Sequence, residues 1–166
     1  MDTLTAISTR HCSREFLADK PIPREILEKI IDAGQRAPTA RNEQPWHFVV
    51  VTDPAMLKRI AGLADYGRFI AAASACVVVI CKETKYFLED GCAATENILL
   101  AATALGVQSC WVAGDKKTYC TPIAALLKIP SGHKIISLLP VGYESTPTHQ
   151  KARRPLADIL HWERFT

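Results

Sequence analysis

Apolar residues follow two rhythms along this chain, one typical of helices and one of buried strands. In the first rhythm they recur every three or four positions, as Ile26, Leu27 and Ile30 do, which places them on one helical face. Pro38 should end the first such segment, and Gly106 should cap the longest one. The pattern predicts helices over residues 23–37, 53–64, 90–105 and 122–127.

The second rhythm is an apolar run without polar interruption, as in WHFVVVT and ACVVVIC. Such runs are typical of strands that are buried on both faces. They predict strands over residues 46–52, 75–81, 109–113 and 133–143. Because these strands alternate with helices, we expect one sheet with both faces covered. No repeat, low-complexity tract or linker interrupts the pattern, so residues 1–166 are expected to form a single domain.

The C-terminal stretch ESTPTHQKARRPLADILHWERFT differs from the rest of the chain. It begins polar and basic and then returns to the apolar residues Leu156, Ile159, Leu160 and Trp162. In a domain whose sheet is already complete, such apolar side chains would otherwise be left exposed on the surface. We therefore expect the segment from about 145 to 166 to pack on another surface, for which a second subunit is the natural candidate.

Length and charge narrow the class of protein. A chain of 166 residues suits one domain with a substantial core, and its net charge of +3 is too small for a dedicated nucleic-acid surface. The N-terminus carries early charges and no apolar core, which is unlike a secretory signal. The longest nearly uncharged run, residues 69–81, is too short to span a bilayer. A cytoplasmic protein with neither nucleic-acid nor membrane partners is expected.

The cysteine pattern gives no sign of a metal site. The six cysteines are Cys12, Cys76, Cys81, Cys92, Cys110 and Cys120. None forms a C-x-x-C pair, and the histidines show no ligand spacing, so no zinc or iron–sulfur centre is expected. Most of the cysteines stand among apolar residues, where a reduced cysteine behaves as a small hydrophobe.

Two basic clusters are candidates for binding a phosphate group. Arg10-His11-Cys12-Ser13-Arg14 places two guanidinium groups, an imidazole and a hydroxyl within five residues, and Lys151-Ala-Arg153-Arg154 lies near the other end. The planar fork of arginine suits phosphate oxygens. Each cluster could equally be a solvated basic turn, and the two together become informative only if the fold unites them.

The stretch RAPTARNEQPW between the first helix and the first strand is the third candidate. It carries the neutral hydrogen-bonding side chains Thr39, Asn42 and Gln44 on a loop that two prolines stiffen. A planar heteroaromatic ligand needs such fixed groups along its edge beside an apolar slot. A loop whose polar groups cap the helix and satisfy one another would show the same composition.

The motifs G-x-G-x-x-G, G-x-x-x-x-G-K-[ST] and G-x-S-x-G are absent, and no acid stands near an obvious base. If the protein is an enzyme, its reactive atom therefore belongs to a cofactor.

The order of these pieces resembles the nitroreductase family of FMN-dependent oxidoreductases. The matching segments are STRHCSREF, PIPREILEKIIDAGQRAPTARNEQPWHFVVVTD, ENILLAATALGVQSCWV, LLPVGY and KARRPLADILHW. The core A-P-[ST]-x-x-N-x-Q-P-W is far more specific than a lone glycine motif. The resemblance covers nearly the whole chain, from Arg10 to Trp162.

The resemblance implies an α+β fold with a central mixed sheet flanked by helices, built as an intertwined homodimer with FMN at the interface. It also implies that no protein side chain is the reactive group, because flavin N5 takes hydride from NADH or NADPH and passes it to a nitroaromatic, quinone or similar small acceptor. The implied cofactor-binding residues are Arg10, His11, Cys12, Arg14, Pro38, Thr39, Ala40, Asn42, Gln44, Arg68, Gly106, Val107, Gln108, Lys151 and Arg153.

Within that set, the family comparison places Arg10, Cys12 and Arg14 at the phosphate from the N-terminal side. The resemblance also implies that Lys151 and Arg153 approach the phosphate from the C-terminal side. It implies that the loop 38–42 lines the isoalloxazine with Gln44 and Trp46 behind it, and that the turn 106–108 approaches the reactive face. Arg68 stands where a cation would stabilise the reduced flavin.

Cys12 departs from the family, which usually has serine there, so Ser13 is a candidate to replace the lost hydroxyl. Three alternatives stay open from the sequence: an FMN carrier or sensor without NAD(P)H turnover, a member with another acceptor chemistry such as dehalogenation or flavin destruction, and a metal-binding or structural dimer that uses its cysteines.

Overall fold

The computed structural model describes residues 1–146 and 151–165, which form an α+β domain. The helices are α1 (Thr3–Thr9), α2 (Arg24–Gln35), α3 (Pro54–Leu63), α4 (Phe87–Ala104) and α5 (Cys120–Leu126). The strands are β1 (Trp46–Val51), β2 (Ala75–Lys82), β3 (Gln108–Ser109), β4 (Val112–Ala113) and β5 (His133–Gly142). Short 3-10 turns occur at Ala40–Asn42, Arg68–Ala72 and Leu156–Asp158.

The five strands form one sheet. Four of them follow the order β1-β2-β5-β3, and β4 pairs with β5 further along the same edge of β5 that β3 occupies. Side chains of β2 point alternately into two cores: Val77 and Val79 enter the core that α2 and α4 cover, while Cys76 and Val78 enter the core that α3 and α5 cover. Strand side chains alternate between faces, so an apolar run without interruption serves both cores at once. The predicted sheet with both faces covered is confirmed.

The predicted mixed character of the sheet is confined to one contact. All four ladders between the five strands are antiparallel. The parallel element among the described residues is the isolated bridge that joins Cys12 to Ser109. This bridge attaches the N-terminal segment to the outer side of β3.

Local chemistry explains where the predicted helices begin. The N-terminus of α3 is capped because the Asp53 carboxylate accepts the Met56 N–H at 2.9 Å, with Pro54 in the first turn. α4 begins at Phe87, three residues before the expected start. Helices α2 and α4 approach closely at Gly34, where an added Cβ would lie 2.8 Å from the Ile98 side chain.

Two further sequence predictions differ from the structure. Residues Thr3–Thr9 form α1, which the sequence pattern did not predict because Ala6 is the one residue of this helix that is buried. The predicted strand 109–113 is divided at Cys110 and Trp111, opposite Pro140 of β5. Pro140 accepts the Cys110 N–H through its carbonyl but has no N–H to return, and this interrupts the ladder.

The described part of the C-terminal segment, residues 151–165, stays on the surface. Its apolar side chains Leu156, Ile159, Leu160, Trp162 and Phe165 are exposed. Residues 147–150 and 166, which also belong to the segment predicted to pack on a partner, lie outside the described residues. None of the described helices is long and apolar enough to cross a membrane.

Candidate functional site

The loop after α2 is anchored to the first turn of α4 by a buried carboxylate. The Thr39 hydroxyl donates to Asp90 Oδ2 at 2.8 Å, and the Ala40 N–H donates to Asp90 Oδ1 at 3.1 Å. Asp90 is only 4% exposed. A buried carboxylate needs such donors, because burial without them would be very costly. The loop therefore has a fixed position relative to the core.

The same loop holds three residues in left-handed backbone conformations: Arg41 (φ 56°), Asn42 (φ 57°) and Gln44 (φ 47°). Asparagine tolerates this region, but each of the other two costs about 1 kcal/mol. Local hydrogen bonds offset the cost, since the Gln44 N–H donates to Thr39 Oγ1 at 3.1 Å and the Gln44 side-chain N–H donates to Asn42 Oδ1 at 3.1 Å. Strain maintained in this way is typical of binding loops that are ordered before the ligand arrives.

The N-terminal basic cluster meets the turn after α4 through the Cys12–Ser109 bridge. The Ser13 N–H donates to the Ser109 carbonyl at 3.0 Å, and Arg10 Nε lies 3.8 Å from Glu96 Oε1 on α4. The Arg10 side chain is 17% exposed, so its guanidinium is held near the protein rather than extended into solvent. The fold thus unites the predicted residues around Cys12 with those around Gln108.

Two members of the N-terminal cluster are engaged with the protein itself. His11 Nε2 lies 3.1 Å from Glu144 Oε1, and its Nδ1 lies 3.1 Å from the Thr9 carbonyl, which ties this segment to the end of β5. Ser13 is fully buried, and its hydroxyl donates to the Glu15 carbonyl at 3.4 Å. The Ser13 hydroxyl therefore faces the protein interior in this chain, and its predicted role beside Cys12 stays a prediction.

Arg14 and Arg68 lie on neighbouring surface segments. The Arg14 guanidinium carbon is 5.8 Å from the centre of the Phe69 ring, directly after Arg68. Both arginine side chains are exposed. The structure therefore extends the positive surface from the N-terminal segment to the 3-10 turn Arg68–Ala72.

The turn after α4 ends the helix through paired hydrogen bonds. The Gly106 N–H donates to the Thr103 carbonyl at 3.1 Å and the Val107 N–H to the Ala102 carbonyl at 2.9 Å. Gly106 has φ +75°, which glycine adopts readily. The predicted cap is confirmed, and it directs the chain back toward the sheet with Val107 buried.

Two polar atoms directly after this turn are buried without a hydrogen-bond partner in the described part of the chain: Gln108 Oε1 and Ser109 Oγ. A buried polar atom left unpaired costs about 1–3 kcal/mol. Such atoms beside a basic cluster suit a ligand that brings its own hydrogen-bonding groups. The residues present therefore fit a phosphorylated heteroaromatic cofactor such as FMN.

Cys12 has a thiol of unusual acidity. Hydrogen bonding with the Cys110 thiol, together with the Trp111 backbone N–H and Arg10, lowers the pKa of Cys12. The same pairing and burial raise the pKa of Cys110. At the position where the family usually has a neutral hydroxyl, this chain therefore has a thiol whose neighbours favour its ionised form.

The single chain does not unite the two basic clusters into one buried site. Lys151 and Arg153 are exposed on the described C-terminal segment. Pro38, Asn42 and Gln44 are also exposed at the protein surface. All these predicted residues are open to a ligand or to another subunit.

Asp90 and Cys110 are site residues that the sequence pattern did not reveal. Asp90 could have been suspected as one of two adjacent acids that begin a helix otherwise rich in alanine and leucine. Cys110 had no such signal, because its relation to Cys12 arises only from the pairing of distant segments. Across the described residues, no group of three or more His, Cys, Asp or Glu side chains is arranged to hold a metal ion.

A groove of about 1030 Å³ lies between α2 and the outer edge of β1. Its lining includes Leu27, Ile31, Trp46, Phe48 and Gln44. The last of these belongs to the neutral loop, so the groove adjoins the candidate site. β1 is the end strand of the sheet, which leaves its outer edge available for pairing.

Comparisons with known proteins agree on one family. Residues 7–71 and 64–143 match the model of the nitroreductase family. A protein of Archaeoglobus fulgidus, whose name proposes an NADH dehydrogenase/NAD(P)H nitroreductase, is 40% identical, with 99% of each chain covered. A Parabacteroides distasonis protein given the same kind of name has a crystal structure that matches with a TM-score of 0.93 at 27% identity, covering 98% of both chains. An FMN-dependent nitroreductase of Clostridium difficile matches with a TM-score of 0.88 at 25% identity, covering 98% of this chain and 99% of its own.

Proposed function

Since the chain belongs to the nitroreductase family, we propose that it is an FMN-dependent NAD(P)H oxidoreductase that reduces a nitroaromatic, quinone or similar small acceptor. One observation carries this proposal most directly. The basic N-terminal segment is bridged to the turn after α4, beside the unpaired buried atoms Gln108 Oε1 and Ser109 Oγ. The C. difficile relative, whose name states FMN dependence, supports the choice of cofactor.

The phosphate group of FMN would be held by Arg10 and Arg14 of one chain, with Lys151 and Arg153 completing the set. Guanidinium and ammonium groups form charge-assisted hydrogen bonds with phosphate that are roughly twice as strong as neutral ones. Arg10 is already positioned by its contact with Glu96. The binding segment therefore loses little freedom when the phosphate arrives.

The loop from Thr39 to Gln44 would orient the ring system. Its hydroxyl and amide groups are neutral, so they can bond the ring edge whether or not the ring carries negative charge, whereas a carboxylate there would repel the reduced form. The anchor at Asp90 keeps these groups in place. An exposed cation such as Arg68 would stabilise negative charge nearby.

Bound FMN would supply the redox centre, which accepts hydride from NADH or NADPH and donates it to the acceptor. The protein's own residues bind the phosphate, fix the ring and leave one face open.

We further propose that the protein works as a homodimer in which the C-terminal segment of each chain covers the partner. Four exposed apolar residues of that segment need a surface: Leu156, Ile159, Leu160 and Trp162. The groove between α2 and β1 offers apolar walls and an unpaired strand edge for a segment of this length. This arrangement would bring the partner's basic residues toward the site.

Anaerobic absorption spectroscopy tests the proposed function. The purified protein is reconstituted with FMN, freed of excess flavin, and mixed first with NADH and then, in a second sample, with NADPH. We expect the flavin band to bleach with at least one donor and to return when a nitroaromatic or quinone is added. A retained flavin that neither donor bleaches would favour a carrier or sensor, and a chain that cannot retain FMN would refute the proposal.

A further inference from the structure

Cys12 and Cys110 lie on neighbouring segments at a separation that suits a covalent link. Cys12 is the register partner of Ser109 in the parallel bridge, and Cys110 is the next residue after Ser109. With ideal strand geometry, about 4.8 Å between strands and a rise of about 3.3 Å per residue, the two Cα atoms would lie about 6 Å apart. Disulfides span Cα separations of this size.

The two sulfur atoms differ in protonation and in access. Cys12 is half-buried, and the Cys110 thiol, the Trp111 N–H and Arg10 lower its pKa. Cys110 is 1% exposed, and its contact with Cys12 and burial raise its pKa. A half-buried thiol that ionises more readily therefore stands beside a buried thiol that resists ionisation, which is the usual arrangement of a nucleophile and a resolving cysteine.

The other four cysteines provide an internal comparison. Burial raises the pKa of Cys76 and of Cys81 to about 12. Burial also raises the pKa of Cys92 and of Cys120. These four thiols should therefore react slowly with oxidants and alkylating reagents at neutral pH.

We propose that Cys12 and Cys110 form a peroxide-reactive pair that closes to an intramolecular disulfide. The Cys12 thiolate attacks one oxygen of hydrogen peroxide and breaks the O–O bond; with one proton taken up, the products are a sulfenic acid and water. The Cys110 sulfur then attacks the Cys12 sulfur, the S–O bond breaks, and the hydroxyl leaves as water with the proton of the Cys110 thiol. The two cysteines lose two electrons in total, and the peroxide is reduced to two molecules of water.

The thiol pair also has a consequence for the binding of FMN, and this consequence rests on the proposed function. Arg10 stabilises the Cys12 thiolate and would also hold the FMN phosphate. Two negative groups beside one guanidinium repel each other, so bound FMN should favour the neutral thiol. FMN should therefore protect Cys12, and the chain without flavin should oxidise faster.

Peptide mapping of the full chain, freed of flavin, tests the pair. The protein is treated with roughly equimolar hydrogen peroxide, blocked with N-ethylmaleimide and digested with trypsin. We expect the peptide of residues 11–14 to be linked to the peptide of residues 86–116, and dithiothreitol to release it. The second peptide holds both Cys92 and Cys110, so Cys92→Ser is the matched control: it should keep the link, whereas Cys110→Ser should lose it.

A second test of the thiol pair uses wild-type protein alone, so it does not depend on whether a variant folds well. Iodoacetamide at pH 6.5 should modify Cys12 at least about tenfold faster than Cys120, because the lowered pKa of Cys12 and the raised pKa of Cys120 favour the reactive thiolate only at Cys12. Equal rates, a Cys12 oxidised to sulfinic acid without a link, or a link through Cys92 would each overturn the proposal. A link that forms equally fast with saturating FMN would count against the phosphate site of the proposed function. Whether the link forms at all tests the proposed reaction between Cys12 and Cys110.

Discussion

Thr39 donates its hydroxyl hydrogen bond to Asp90 at 2.8 Å, although 51 residues separate the two in the sequence. The contact joins a surface loop to the start of a helix that lies deep in the domain. The other carboxylate oxygen accepts the Ala40 N–H. A single buried acid therefore fixes the part of the loop that carries the neutral hydrogen-bonding groups of the candidate site.

Replacing this acid should loosen the loop. We expect Asp90→Asn to lower the free energy of unfolding by about 2 kcal/mol, since a charged acceptor of two hydrogen bonds is lost. Trypsin should then cleave faster after Arg41, which can be followed by electrophoresis beside urea unfolding. Glu89→Gln, at the exposed neighbouring position, is the control and should leave both properties unchanged. Stability and cleavage equal to wild type in Asp90→Asn would show that the carboxylate does not hold the loop.

The phosphate assignment predicts a specific loss of FMN affinity. Arg10→Ala should raise the FMN dissociation constant roughly 10- to 100-fold, because a charge-assisted hydrogen bond contributes about 1.5–3 kcal/mol. Titration of flavin fluorescence with the flavin-free protein measures this constant. Arg59→Ala removes an equal charge from the exposed side of α3 and should not change FMN affinity. Similar effects in the two variants would place the phosphate elsewhere.

Two glycines should respond in opposite directions to the same substitution. Gly106 has φ +75° and Gly62 lies in the last turn of α3, and an added Cβ would meet no atom within 4 Å at either position. Gly106→Ala should therefore cost about 1 kcal/mol through backbone strain alone. Gly62→Ala should stabilise the fold by up to about 1 kcal/mol, because it reduces the freedom of the unfolded chain. Chemical denaturation measures both, and changes of the same sign would contradict the conformational explanation.

Stability should decline at alkaline pH because of buried thiols. Burial raises the pKa of Cys76 from 9.0 to about 12, so above pH 9 this thiol ionises in the unfolded chain while it stays protonated in the fold. The stability that the buried, protonated thiol contributes to the fold is thus fully present below pH 9 and is lost as the pH rises toward 12. The thermal midpoint measured from pH 8 to 10.5 should fall less steeply in Cys76→Ala than in wild type, whatever the effect of that variant at neutral pH. Parallel curves would contradict this origin.

The proposed dimer makes the C-terminal tryptophan important for assembly. Trp162 is 74% exposed in the single chain, and Tyr66 is 78% exposed on another surface. Trp162→Asp should shift the protein from dimer toward monomer in light scattering, because a carboxylate cannot enter an apolar groove without a partner. Tyr66→Asp should leave the dimer intact. A monomeric wild type, or a dimer in both variants, would refute this role of the tail.

The sequence predicted most of the sheet and the helices that cover it because those elements are governed by local rules. Pro54 and Asp53 mark the start of α3, and the apolar run of β2 reflects its two buried faces. The family resemblance, which depends on motifs of the same local kind, is confirmed by the family model and the relatives. The roles of the individual site residues stay predictions.

What the sequence did not predict depends on contacts between distant segments. The division of the third strand follows from Pro140, which stands opposite Cys110 only after β5 has paired. The anchor at Asp90 and the thiol pair at Cys12 likewise join positions with no common motif. Helix α1 was missed because a seven-residue helix with one buried residue is too short to show a clear apolar periodicity.

The central position of β5 has a consequence for the timing of folding in the cell. This strand pairs with β2 on one side and with β3 and β4 on the other, yet it is the last of the five to be synthesised. Until residues 133–142 have left the ribosome, β2 keeps an open apolar edge, and the segment that receives Cys12 has no strand to pair with. The segment around Arg10 is made long before β5, so it can settle beside a paired β3 only after residues 133–142 have been synthesised.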